Sequence, residues 1–121
     1  MDEHQTPVTT LPVAERGLDF RTPRVVGDTV LDDAFTGFPD GEWTLTVREP
    51  GSGLAVELIS DARYAQVYSG DGMNRAALAV EPMSCAPDAF NSGDGLVMLV
   101  PGMSHRFDYR LRVPGPRSGV R

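Results

Sequence analysis

The sequence contains no lysine, a single cysteine and no long apolar run, and each absence excludes a class of protein. All basic side-chain charge comes from 11 arginines, and the net charge is -6, so the chain lacks the basic face that binding to a nucleic acid backbone requires. One cysteine, Cys85, allows neither an intrachain disulfide nor a cysteine-based zinc site. No stretch reaches the length of a membrane span, about 18 apolar residues. We therefore expect a cytoplasmic protein that binds a neutral small molecule, without nucleic acid or membrane as a partner.

Glycine and proline, by contrast, are frequent, with 13 and 10 residues, which favours short strands and turns over long helices. Apolar and polar residues alternate regularly over 43–49 and again over 54–60, and a Pro-Gly-Ser-Gly turn separates the two segments, so we predict a β-hairpin. Further strands are predicted at 64–68, 76–81, 96–100 and 107–113. Because no window has helical periodicity, the predicted fold is all-β, an antiparallel β-sandwich.

The chain is short enough for one domain. We predict an extended N-terminal arm over 1–16, a β-sandwich segment over 17–114 and a disordered tail over 115–121. Uncovered sheet edges are expected to permit self-association. The core is predicted to consist of Trp43, Leu45, Val56, Leu58, Val67, Leu78, Val80, Leu96, Met98, Phe107, Tyr109 and Leu111.

The stretch LAVEPMSCAPDAFN, residues 78–91, delivers one carboxylate, Glu81, at the end of an apolar strand. Pro82 holds Glu81 extended, because the residue before a proline is driven out of the α region. A carboxylate placed there is either a functional group or a strand-end carboxylate that is solvated or paired with an arginine such as Arg75. In the loop that follows, we expect Asp88 and Asn91 to shape their loop through hydrogen bonds from side chain to backbone.

Several segments together resemble the C-terminal part of the aldose 1-epimerases, the galactose mutarotase family, in both order and spacing. The resemblance covers most of the chain from about residue 6 to residue 113. It rests on LDFRTPRVVGD at 18–28, LDDAF at 31–35, QVYSGDG at 66–72, AVEPMSCAPDAFNSGDG at 79–95 and LVPGMSHRFDYRLRV at 99–113.

The resemblance implies interconversion of the α and β anomers of a hexose such as glucose or galactose. It places Glu81 on the family's general base, which takes the proton from the anomeric hydroxyl, and Asp32 on an aspartate that hydrogen-bonds sugar hydroxyls. A histidine protonates the ring oxygen, and neither a cofactor nor a metal is needed. Asp33 is adjacent to Asp32, and a turn-capping role for it is left open.

This sequence departs from the family pattern in its histidines, since His4 and His105 are the two present and neither lies in the family's histidine motifs. We expect His4 to be solvated and His105 to be structural. Met83 stands where many relatives have glutamine. The chain is thus expected to be a C-terminal fragment without the catalytic histidines. The alternative is a non-catalytic carbohydrate-binding β-sandwich.

Two other reactive or aromatic residues are given structural roles. Cys85 is expected to be an inert buried thiol, because no histidine is near it in the sequence. Trp43 could stack on a sugar, but a tryptophan in a regularly alternating strand is predicted to belong to the core.

Overall fold

The computed structural model describes residues 6–7 and 9–115, and its regular structure is nearly all antiparallel β-sheet. The helical pieces in this part of the chain are one turn of α-helix, α1, at Ala89–Ser92 and two short 3-10 turns, Val13–Arg16 and Asp71–Met73. This confirms the predicted all-β class. The strands are β1 Asp32–Thr36, β2 Trp43–Arg48, β3 Ala55–Ser60, β4 Tyr64–Tyr68, β5 Ala79–Met83 and β6 Tyr109–Arg112.

The strands form two three-stranded sheets, sheet A in the order β1-β4-β5 and sheet B in the order β2-β3-β6. Every neighbouring pair is antiparallel. Leu45 of sheet B and Val80 of sheet A both pack against each of the two buried clusters, so the sheets share one core. The predicted sandwich therefore buries the inner faces of both sheets against each other.

The predicted hairpin is confirmed as β2 and β3, with Leu45 directly opposite Leu58. Trp43 is buried in the core, as predicted, and its indole N–H donates a 2.7 Å hydrogen bond to the carbonyl of Ala62. The Phe38 ring stacks on the indole with 4.4 Å between ring centroids. Burial with a satisfied indole donor makes Trp43 a structural residue and not a sugar platform.

Two predicted strands have clearly different bounds in the structure, and a third is absent from the described residues. The strand predicted at 76–81 runs from Ala79 to Met83, and the last strand begins at Tyr109 instead of residue 107. The prediction of a strand at 96–100 is wrong, because this segment forms no ladder with any described residue. A strand requires a neighbouring edge for its backbone N–H and C=O groups, which an apolar run cannot supply for itself.

The predicted core is partly correct. Trp43, Leu58 and Val67 are buried, and Leu45, Leu78, Val80 and Phe107 pack against the buried clusters. Leu96 is half-buried. Val56, Met98, Tyr109 and Leu111 are instead exposed, because no described element covers them.

The structure describes only part of the predicted N-terminal arm and C-terminal tail. Within the arm, Val13–Arg16 forms a 3-10 turn that leads to the buried Leu18. Residues 1–5, 8 and 116–121 lie outside the described residues, and so does His4, so the arm, the tail and the solvation of His4 stay predictions. In the described ranges, no helix has the length and apolar character needed to cross a membrane.

Candidate functional site

The register of sheet A places Asp32 and Glu81 on the same face. Asp32 is directly opposite Tyr68, and Glu81 is directly opposite Gln66. Paired residues of antiparallel strands share a face, and residues two apart in one strand do too. Asp32, Gln66 and Glu81 therefore lie on one face of sheet A, across all three of its strands. We call these three residues the site triad.

Gln66 is the member of the site triad that sequence analysis missed. Its side-chain amide donates a 3.0 Å hydrogen bond to Oδ1 of Asp32. Its carbonyl oxygen, Oε1, is buried and has no hydrogen-bond partner among the described residues. One signal was present in the sequence: Gln66 is a polar residue between Ala65 and Val67, on the strand face opposite to theirs, within the QVYSGDG motif.

Two tyrosines flank Gln66 along β4 on the same face. The Tyr68 hydroxyl accepts a 2.6 Å hydrogen bond from the backbone N–H of Gly72. The Tyr64 ring lies against Gly95, where an added Cβ would come within 2.7 Å of a ring carbon. Gly95 also has φ +70°, so both space and conformation require glycine there. This close approach sets the loop after β5 against the site face.

Glu81 itself is exposed. The strand continues through Pro82 to Met83, so Glu81 lies within β5 and not at its end. The shielding that a working base requires is therefore not supplied by the described residues. The alternative pairing with Arg75 is wrong, since Arg75 binds Asp71 at 2.6 Å and the carbonyls of Gly27 and Thr29 at 2.8 and 3.0 Å.

The neighbouring acidic residues have structural roles. Asp33 lies opposite Val67, on the core side of sheet A, so the two adjacent aspartates point to opposite faces as the strand period requires. Asp88 accepts a 2.6 Å hydrogen bond from the Asn91 side chain, across the single turn of α1. This contact joins the two side chains, whereas hydrogen bonds from side chain to backbone were expected. The hydroxyl of Ser69 and the guanidinium of Arg75 hold the pKa of Asp71 below its ordinary value.

His105 lies in the irregular segment before β6 and is exposed, so it is outside the last strand, and its expected structural role stays a prediction. It lines a shallow cavity together with Arg63, Ser84 and Phe107, and no member of the site triad lines that cavity. Cys85 is a free, half-buried thiol. Nowhere in the part of the chain that the structure describes do three His, Cys, Asp or Glu residues come together in a way that could hold a metal ion.

Comparison with known proteins decides the family. The aldose 1-epimerase family model matches residues 1–112. The chain belongs to the aldose 1-epimerase family. A similar curated protein is the uncharacterized protein YihR of Escherichia coli strain K12, which is 41% identical over 111 residues, covering 92% of this chain and 36% of YihR. This chain therefore spans about a third of the length of the curated relative that it matches. No solved structure gives a significant match.

Family membership confirms the resemblance that the motifs indicated. Because the relative is uncharacterized and much longer, the roles of Glu81 and Asp32 and the identity of the sugar stay predictions.

Proposed function

We propose that this chain supplies the general base and part of the sugar-binding face of an aldose 1-epimerase that interconverts the α and β anomers of a hexose such as glucose or galactose. The observation that carries the proposal is the site triad. In a member of this family, two carboxylates and an amide lie on one sheet face, and the amide binds one carboxylate at 3.0 Å. Hydroxyl-rich ligands are held by such acceptors and donors.

In the proposed reaction, Glu81 takes the proton from the hydroxyl on C1 of the sugar. The electron pair of that O–H bond forms the C1 carbonyl, the bond between C1 and the ring oxygen breaks, and the ring oxygen takes a proton from an acid. Rotation about the bond from C1 to C2 and reversal of these steps gives the other anomer. A positioned general base contributes about 10²- to 10⁴-fold to such a proton transfer.

Asp32 and Gln66 have complementary parts in this proposal. The amide N–H of Gln66 fixes one oxygen of Asp32, which leaves the carboxylate oriented to accept from a sugar hydroxyl. The Oε1 of Gln66 is buried and has no hydrogen-bond partner among the described residues, so a sugar would reach it only after the surrounding side chains moved.

The site in this chain is incomplete in two respects. The resemblance implies a histidine as the acid, and among the described residues the site triad contains none. Glu81 is exposed, whereas burial is what raises the pKa of a carboxylate toward neutrality. We therefore propose that a segment outside this chain supplies the acid and covers Glu81, and we expect little or no mutarotation by this chain alone.

The test is polarimetry on freshly dissolved α-glucose or α-galactose with a complete enzyme that contains this chain. Glu81→Gln keeps the shape and loses the proton acceptor, so turnover should fall by an amount equal to about 3 to 5 kcal/mol in the barrier. Asp32→Asn should mainly raise KM. The exposed loop variant Asp40→Asn is the control. Turnover that Glu81→Gln leaves unchanged would exclude the proposed role of Glu81.

A second function, non-catalytic sugar binding, is favoured by one specific observation. Among the described residues, the histidine present is His105. It lines a cavity to which no member of the site triad contributes. A binding domain would show saturable sugar binding by isothermal titration calorimetry, and Gln66→Ala would weaken that binding. Under this alternative, a complete protein that contains this chain would leave the rate of mutarotation at its uncatalysed value.

A further inference from the structure

One margin of sheet B has apolar side chains on the face that forms the core, yet nothing among the described residues covers them. Leu58 of β3 and Leu111 of β6 are directly opposite each other and therefore share a face, but they are 5% and 67% exposed. Ser60 and Tyr109, the next pair on that face, are 1% and 57% exposed. Val56 lies on the same face of β3 and is also exposed. We call Val56, Tyr109 and Leu111 the apolar margin.

A second apolar feature lies in the chain just before β6. The segment 96–100, Leu-Val-Met-Leu-Val, has the continuous apolar pattern of a strand buried on both faces. In the structure it pairs with no described strand, and Val97, Met98, Leu99 and Val100 are all exposed. Its ends are bonded in turns, from the Leu96 N–H to Gly93 and from the Met103 N–H to Val100, while its middle pairs with no described strand. We call it the apolar run.

The opposite face of β6 shows that the apolar margin is not ordinary outer surface. On that face, Arg110 forms an ion pair with Glu42 at 2.8 Å, and Arg112 forms one with Glu57. β6 therefore has one charged face whose arginines are paired, and one apolar face that continues the core layer. Contiguous apolar surface of this kind marks a protein interface.

We propose that the apolar margin and the apolar run bind a polypeptide equivalent to the part of an aldose 1-epimerase that lies outside the match. The relative is 36% covered by this chain, so about two thirds of it has no counterpart here. Its matched third is 41% identical to this chain, so the remaining part of the relative is the piece expected to fit these surfaces. The partner adds a strand beside the apolar run and packs apolar side chains on the apolar margin.

This inference rests on family membership and on exposed apolar residues, and it deepens the proposed function by naming what completes the site. It does not depend on the role of Glu81. A second copy of this chain is a poorer occupant, because two chains of net charge -6 repel each other.

The experiment is to co-express the full chain with a tagged polypeptide comprising the part of YihR outside the match, and to measure co-purification and the dissociation constant. The matched segment of YihR, co-expressed with the same tagged partner, is the positive control and defines the maximum binding signal. Leu111→Arg and Met98→Arg place a charge in the proposed interface and should weaken binding about tenfold or more. Val25→Arg, a substitution at a 75% exposed valine outside both features, should bind like the wild type.

Hydrogen exchange supplies an independent measurement. The backbone amides of residues 97–100 should exchange freely in the chain alone and become protected in the complex, because a ladder with the partner would then occupy them. Circular dichroism melts of the isolated variants should match the wild type, since the substituted residues are exposed.

Three results would overturn the inference: no complex with the wild-type chain, equal binding by Leu111→Arg and wild type, or a self-association that Leu111→Arg abolishes while the YihR part never binds. A complex that forms as expected but shows no mutarotation would count against the proposed function and leave this inference standing.

Discussion

The two sheets contain the same number of strands but differ in how completely their core faces are covered. In sheet A, the core-side residues of every strand, such as Phe35, Val67 and Val80, are buried or half-buried. In sheet B, burial ends between two adjacent strands, at Leu58 and Leu111. The pattern of a strand thus decides which face is apolar, while neighbouring elements decide whether that face is covered.

This difference also explains where the site lies. Sheet A has a closed core side, so the residues on its other face are free to be polar, and that face carries the site triad. Sheet A is further anchored by a polar network around the buried Ser69, which hydrogen-bonds the backbone of Leu31 at 2.8 Å. The site therefore lies on the sheet that this chain completes by itself.

The strongest predicted effect on stability contrasts two positions that lie opposite each other in sheet B. Leu58→Ala removes a buried side chain from the Trp43 cluster and should cost about 2 to 5 kcal/mol in the free energy of unfolding. Leu111→Ala, in the directly opposite position, should change it by less than about 0.5 kcal/mol, because the side chain is exposed.

Urea denaturation followed by tryptophan fluorescence measures both variants, since Trp43 is the single tryptophan and lies in the core. An unchanged m-value would show that the difference lies in stability and not in the extent of unfolding. Equal losses at the two positions would mean that β6 is covered in solution.

The second prediction concerns the site triad on sheet A. Gln66→Glu removes the amide donor and sets another carboxylate against Asp32, so it should cost about 1 to 3 kcal/mol at pH 7. The repulsion raises the pKa of the introduced carboxyl in the folded state. A raised carboxyl pKa destabilises the fold as pH rises through it, so the cost should shrink toward pH 4.

Gln66→Met is the matched control for this prediction. It loses the same hydrogen bond without adding charge, so its cost, about 1 kcal/mol, should vary little between pH 4 and pH 7. Thermal unfolding of both variants across this pH range separates the cost of the lost hydrogen bond from the cost of the added charge. A parallel pH dependence of the two variants would show that Gln66 and Asp32 do not interact.

Sequence patterns predicted the hairpin of sheet B and the strand at Tyr64–Tyr68 because their alternation is regular and their partners lie next to them in the chain. The same patterns failed at 96–100, where the apolar run has no described edge to pair with. The motif resemblance identified Glu81 and Asp32, and the strand register then showed that they share one face of sheet A. Gln66 became visible only through its bond to Asp32, a contact across 34 positions of the chain.

The third prediction tests the anchor of sheet A. Arg75→Ala removes the bonds to Asp71, Gly27 and Thr29, which tie the segment before β1 to the connection between β4 and β5, and should cost about 1 to 2 kcal/mol. Arg75 has φ +57°, so Arg75→Gly should cost about 1 kcal/mol less than Arg75→Ala, because glycine relieves the left-handed backbone. Denaturant midpoints of the two variants provide the measurement. Equal midpoints would argue against the left-handed conformation.

The smallest expected effect is the acid titration of Asp71 in the same anchor. The Ser69 hydroxyl, and after it Arg75, lowers the pKa of Asp71 below its ordinary 3.8. A carboxyl with a lowered folded-state pKa stabilises the fold fully above its unfolded pKa, and this contribution is lost as pH falls through the folded value. The difference in melting temperature between wild type and Asp71→Asn should therefore hold from pH 7 to about pH 5 and shrink below pH 4, whereas Asp40→Asn, in an exposed loop, should match the wild type throughout. A difference that stays constant down to pH 2 would show that the ionised carboxylate of Asp71 contributes nothing to the anchor.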